Sequence, residues 1–115
     1  MIYPQFDRVE ALARDFNVIP ICQTFLADTE TPIGLLQKCK QNRYAFLLES
    51  VEGAARWARY SFVGSDPFII FTARDGEVRI QQRNGTTDVQ TGNPLEALAA
   101  LVSQYRCPQY EGYAP

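Results

Sequence analysis

An acid and a hydroxyl stand side by side directly after a fully apolar run, in Leu47-Leu48-Glu49-Ser50, with Val51 and Glu52 behind them. Arg56, Trp57, Arg59, Tyr60, Ser61 and Phe62 follow within a short loop and the next extended segment. An acid at a strand end can hold an ammonium group. A serine hydroxyl with nearby backbone amides can hold a carboxylate, and aromatic rings can wall an apolar side chain. These are the parts of an amino-acid pocket. The same residues have a plainer reading, in which Glu49 meets solvent or pairs with Arg59 while Trp57 and Phe62 fill a core. Ion pairs at strand ends are common and weak.

Other chemistry is scarce. The 115 residues contain no histidine, which removes the commonest general base, the Ser-His triads and most zinc sites. Cys22, Cys39 and Cys107 form no CxxC pair, and a cysteine nucleophile would need a base. Glu49 and Glu52 would fall on opposite faces of a continuing strand, which does not suit paired acid–base work. Glycines at 53, 64, 76, 85 and 92 are scattered at turns rather than gathered in a phosphate loop. Nothing here makes a self-contained active site, a metal site or a cofactor site.

Charge and composition narrow the partners. Eleven basic and thirteen acidic residues give a formal charge of -2, so there is no cationic field to draw nucleic acid or an anionic membrane. No apolar stretch approaches the roughly 20 residues of a membrane-spanning helix, and Met1 to Asp15 has no signal-peptide pattern. Three widely spaced cysteines suit a reducing cytoplasm with ordinary buried thiols. A hydrophobic content of 46% and a charged content of 21% are ordinary for one globular domain.

The elements that must position these groups follow from periodicity. Phe6, Val9, Leu12, Ala13 and Phe16 predict an amphipathic helix from about Gln5 to Asp15, with Asn17 as its stop. Val18 to Leu26 reads as a strand, at an edge or bulge because of Pro20. Thr31-Pro32 starts a helix to about Gln41. Tyr44 to Leu48 predicts a buried strand, Glu52 to Ala55 a turn, Arg59 to Gly64 a strand, and Phe68 to Thr72 another. Asp75-Gly76 and Asn84-Gly85 each predict a two-residue hairpin turn with positive φ at both positions. The result is a three-stranded antiparallel meander, with Arg79, Gln81, Arg83 and Asp88 on its solvated face. Asn93-Pro94 opens a last helix carrying Leu95, Leu98, Leu101 and Val102 to about Gln104, and the tail from Tyr105 has no period. The class is α+β, an antiparallel meander with about three flanking helices.

Phe46-Leu47-Leu48-Glu49-Ser50-Val51-Glu52-Gly53 and Arg56-Trp57-Ala58-Arg59-Tyr60-Ser61-Phe62-Val63-Gly64 resemble the N-terminal region of anthranilate synthase component I. Asn17 to Pro20 and Ala27 to Pro32 are similar to that family's entry into its first strand and helix. The resemblance covers roughly Phe6 to Leu101. It implies that residues 1–115 are an N-terminal regulatory domain, truncated from a larger two-domain β-sandwich-type enzyme. The full enzyme of that family converts chorismate to anthranilate in tryptophan biosynthesis. It uses Mg2+ and receives ammonia from a glutamine amidotransferase subunit. Its chorismate and magnesium residues lie in a C-terminal domain, so this chain alone is expected to be inactive.

The resemblance further implies that Leu48, Glu49 and Ser50 contact L-tryptophan, the allosteric feedback inhibitor, with Arg59, Tyr60 and Ser61 adding contacts from the second strand. A C-terminal segment would complete that pocket. Trp57 is expected in packing. The aminodeoxychorismate synthases share the fold and the pocket and are the nearest alternative. A stand-alone binding or interaction module is the alternative of another class. Strand edges and apolar faces that normally meet a second domain would make the isolated chain self-associate.

Overall fold

The structure, a computed structural model, describes residues 1–49 and 60–112. Its chain divides into two compact units. The first comprises Met1–Leu26, Phe71–Ile80 and Thr87–Pro115, and the second Ala27–Ile70 and Gln81–Thr86. The described residues form three helices and small antiparallel sheets, which is the α+β class that the order of elements predicts.

The first unit begins with a two-residue strand β1 (Ile2–Tyr3) and helix α1 (Phe6–Leu12). Leu12 is the buried anchor of α1, while Phe6 at its start is 76% exposed. The helix is shorter than its apolar spacing suggests. Past Ala13 the chain tightens, with the N–H of Asp15 and that of Phe16 both donating to the carbonyl of Leu12. Only β2 (Cys22–Gln23) of the expected Val18 to Leu26 strand forms, paired antiparallel with β1. The reason lies in where the backbone donors go. The N–H groups of Asn17 and Val18 both donate to the carbonyl of Arg106, each at 3.1 Å, and Pro20 has none to give.

Asn17 does more than stop a helix. Its Nδ2 donates to the carbonyl of Gln104 and its Oδ1 accepts from the N–H of Arg106, both at 2.6 Å. This clamps the segment after α3 (Pro94–Ser103). Asn93 caps α3 by accepting from the N–H of Leu95 at 2.9 Å, and Pro94 occupies the first turn, as its sequence predicts. Further along, the hydroxyl of Tyr110 donates to the carbonyl of Pro20 at 3.0 Å, and its ring meets Tyr3 edge-on at 5.1 Å. Partial burial pushes the Tyr110 phenol above its ordinary value, reinforced by the neighbouring Cys22, Tyr3 and Cys107.

Strands β5 (Ile69–Arg74), β6 (Glu77–Gln82) and β7 (Thr87–Thr91) form the expected meander in sheet order β5-β6-β7. Val78 is 1% exposed and Ile80 half-buried, while Arg79 between them and Gln81 after them are exposed, so β6 alternates there as a strand with one solvated face must. At the first turn Asp75 and Gly76 have φ of 52° and 77°, the expected two-residue geometry. The second turn differs. Gly85 has φ of 91°, but Asn84 does not take positive φ. The N–H of Gly85 donates to Gln82 and that of Gln82 to Thr86, which makes a three-residue loop, Arg83 to Gly85, closed by a glycine in the left-handed region. Asn84 instead uses its Oδ1 to accept from the N–H of Thr86.

The second unit is built on one strand pair. Helix α2 (Pro32–Lys38) is capped by Thr31, whose hydroxyl accepts from the N–H of Gly34 at 3.0 Å, and Lys38 pairs with Glu30. The expected run to Gln41 survives as tight turns, with the N–H of Cys39 donating to Leu36 and that of Lys40 to Gln37. Strands β3 (Ala45–Glu49) and β4 (Ser61–Ser65) pair antiparallel along their whole length, and α2 packs on both. The expected turn at Glu52 to Ala55, and the expected packing of Trp57, lie outside the described residues. Of the three thiols, Cys22 and Cys39 are half-buried, but Cys107 is exposed, against the expectation that all are interior.

Candidate functional site

The register of β3 and β4 decides which predicted site residues meet. Glu49 lies directly opposite Ser61 at one end of the pair, Leu48 opposite Phe62, Leu47 opposite Val63, Phe46 opposite Gly64 and Ala45 opposite Ser65. Directly opposed residues in an antiparallel pair share a face, with Cβ atoms about 5 Å apart. Glu49 and Ser61 are therefore neighbours, and a carboxylate and a hydroxyl stand together at a strand end. Both are exposed, and among the described residues Glu49 makes no ion pair. The arrangement can receive an ammonium group at the carboxylate, with the hydroxyl as a second polar contact.

Leu48 does not join them. Successive side chains of a strand alternate, so Leu48 lies with Phe46 and Phe62 on the other face of the pair. These three are 60%, 52% and 38% exposed, whereas Leu47 and Val63 are half-buried on the face that carries Glu49 and Ser61. Leu48 could reach a ligand of Glu49 only around the strand end. Tyr60 is half-buried, one residue before β4. Ser50 and Arg59, the remaining two of the six expected contacts, lie outside the described residues, as does the alternative Glu49–Arg59 pairing.

Phe46 opposite Gly64 was not among the expected contacts. A Cβ at Gly64 would overlap the Cε1 and Cζ atoms of the Phe46 ring, so the ring lies flat across the glycine. An isolated glycine inside a strand is the sequence signal for such a close approach. At this end of the hairpin the N–H of Asp66 donates to the carbonyl of Tyr44, extending the ladder by one rung.

Comparison with known proteins shows which family the chain resembles. Residues aligned over 92% of the chain are 39% identical to anthranilate synthase component 1 of Acetivibrio thermocellus, and 43% identical to that of Synechocystis sp.. The whole chain aligns at 34% identity with the protein of that name from Arthrobacter globiformis. The chain belongs to the anthranilate synthase component 1 family. It spans about one fifth of the length of these curated relatives, 21% to 22%. No family model matches it, and no solved structure does. The resemblance carried by the Phe46 to Gly64 motif is thus supported over nearly the whole chain, well beyond the strand pair itself.

Proposed function

We propose that the chain is the N-terminal, non-catalytic part of an anthranilate synthase component I, and that it carries half of an L-tryptophan feedback site at the Glu49–Ser61 end of the β3–β4 pair. The observation that carries this reading is the direct opposition of Glu49 and Ser61 within the stretch that resembles the family's regulatory motif. The carboxylate of Glu49 takes the ammonium group. Ser50 and Ser61, with nearby backbone amides, take the carboxylate of the ligand. Arg59 and Tyr60 complete this half, and Leu48 reaches the ligand only around the strand end. The indole meets a second segment, supplied by the remaining polypeptide.

The parent enzyme turns chorismate into anthranilate in the cytoplasm, with ammonia from a glutamine amidotransferase subunit. Tryptophan inhibits it by binding one domain arrangement more tightly than the other, since only differential affinity shifts such an equilibrium. Magnesium belongs to the parent's catalytic domain. Among the described residues no three acid, cysteine or histidine side chains come together in a group that could hold a metal. The names of the relatives favour this branch over the aminodeoxychorismate synthases, and their greater length favours a multi-domain parent over a stand-alone module.

An amide-resolved NMR titration with L-tryptophan, against D-tryptophan, tests the site. Saturable, stereospecific shifts centred on Leu48 to Ser50 and Tyr60 to Ser61, lost in Glu49→Lys, are expected. In the full-length parent, Glu49→Lys relieves inhibition and keeps turnover. An inhibition curve unmoved by that substitution would refute the assignment. The exposed Phe46, Leu48 and Phe62 and the exposed Leu95 and Val102 of α3 further support self-association of the isolated chain. Light scattering that gives a monomer mass at high concentration would count against it.

A further inference from the structure

At the opposite end of the β3–β4 pair, about 13 Å along the strands from Glu49 and Ser61, lies a cavity of about 410 Å³. Its wall is made by Arg43, Tyr44 and Phe46 on one side and by Gly64, Ser65 and Pro67 on the other. The volume falls in the range of about 300–1,000 Å³ typical of small-ligand sites, and mostly apolar walls with few polar groups are their usual make-up. Every one of these residues belongs to the second unit.

The polar groups in the wall have one sign. Arg43 is held 5.5 Å above the Tyr44 ring, and no ion pair neutralises it among the described residues. Asp66, the acid between Ser65 and Pro67, is already engaged: Arg83 reaches its carboxylate at 3.0 Å and its carbonyl at 2.7 Å. Among the described residues no acid lines the cavity, so none of them gives an ammonium group anything to gain by entering. A guanidinium fork matches a planar carboxylate. The serine hydroxyl of Ser65 supplies a further donor. The two flat rings offer stacking area, and the Phe46 ring has room to lie across the strand pair because Gly64 carries no side chain.

We propose that this cavity binds an aromatic monocarboxylate lacking an amino group, with Arg43 pairing to the carboxylate and Tyr44 and Phe46 flanking the ring. The site is independent of the tryptophan half-site and differs from it in charge: one end of the hairpin offers an acid, the other a cation.

The test is an NMR titration of the 115-residue chain with 3-phenylpropionate, against the neutral 3-phenylpropan-1-ol. Saturable amide shifts at Tyr44, Phe46, Gly64 and Ser65 are expected, with the alcohol at least about fivefold weaker. Arg43 is exposed, so Arg43→Gln keeps the fold, and its unchanged spectrum verifies that. This variant should bind the acid no better than the alcohol, while its affinity for the alcohol stays the same. Three results would overturn the proposal: no saturation by about 10 mM acid, equal affinity for acid and alcohol, or shifts confined to the Glu49–Ser61 end. None of them bears on whether L-tryptophan binds at Glu49.

Discussion

Adding one methyl group at Gly64 tests the packing that shapes the strand pair. In Gly64→Ala the new Cβ would overlap the Phe46 ring, and the backbone of Gly64 is not in the left-handed region, so the conflict is between side chains alone. The ring has an escape, since Phe46 is already 52% exposed. Swinging it into water uncovers roughly half of the ~150–250 Å² a phenylalanine can bury. At about 25 cal/mol per Å² that costs at most about 2–3 kcal/mol. Alanine recovers roughly 0.5–1 kcal/mol through its lower unfolded-state entropy. A net loss of about 1–2 kcal/mol is expected, read as a drop of roughly 4–10 °C in Tm for a chain of this size. The decisive assay is a double-mutant cycle. With Phe46→Ala in place the obstacle is gone, so the same Gly64→Ala change should be neutral or slightly stabilising. An unchanged Tm in the single variant, or equal losses in both backgrounds, would refute the reasoning.

Tyr110→Phe removes both a hydrogen bond to Pro20 and a phenol whose ionisation the fold opposes. Because its folded pKa is raised above the unfolded value of 10.0, its stabilisation is complete below pH 10 and is lost as pH rises through the folded value. The stability gap between wild type and Tyr110→Phe in urea unfolding should therefore shrink as pH rises above 10; a gap that widens would contradict this. Asn17→Ala breaks two side-chain hydrogen bonds to Gln104 and Arg106, and a loss of about 1–2 kcal/mol in chemical denaturation is expected. Gly76→Ala puts a Cβ at φ of 77° and should cost about 1–2 kcal/mol, more than Asn84→Ala, which loses one hydrogen bond without any left-handed strain. Thermal melts that reverse this order would show that Asn84 shares the strain.

Features governed by a few neighbouring residues were readable from the chain. Thr31-Pro32 and Asn93-Pro94 start their helices because a capping oxygen and a proline act within one turn. Asp75-Gly76 makes its turn because both positions accept positive φ. Asn84-Gly85 carries the same local preference, but two residues of that kind also fit a longer loop, and the strand register chose it. The strand expected over Val18 to Leu26 failed for a distant reason: its first donors go to Arg106, which no window around Pro20 contains. The site divides in the same way. The motif points to Glu49 and Ser61, and the register puts them together. The same motif points to Leu48, yet strand alternation turns it to the other face. Nothing in the sequence singles out Arg43, because its place in the cavity wall depends on a ring seated on Gly64 across the strand pair.

The clamp at Asn17 has a consequence for how the chain comes off the ribosome. Its partners, Gln104 and Arg106, lie 87 and 89 residues away, and the partner of Pro20, Tyr110, lies 90 away. At about 5–20 residues per second, the N-terminal segment waits several seconds for them. During that interval β3 and β4 can already pair, since the two strands are separated by a short stretch of chain and closing a short loop costs little. The hairpin that bears the candidate site is thus able to form before the first unit, whose pieces come from three separate stretches of sequence. A nascent chain whose Pro67 has just cleared the ribosome would hold both ends of that hairpin before the whole of the first unit had emerged.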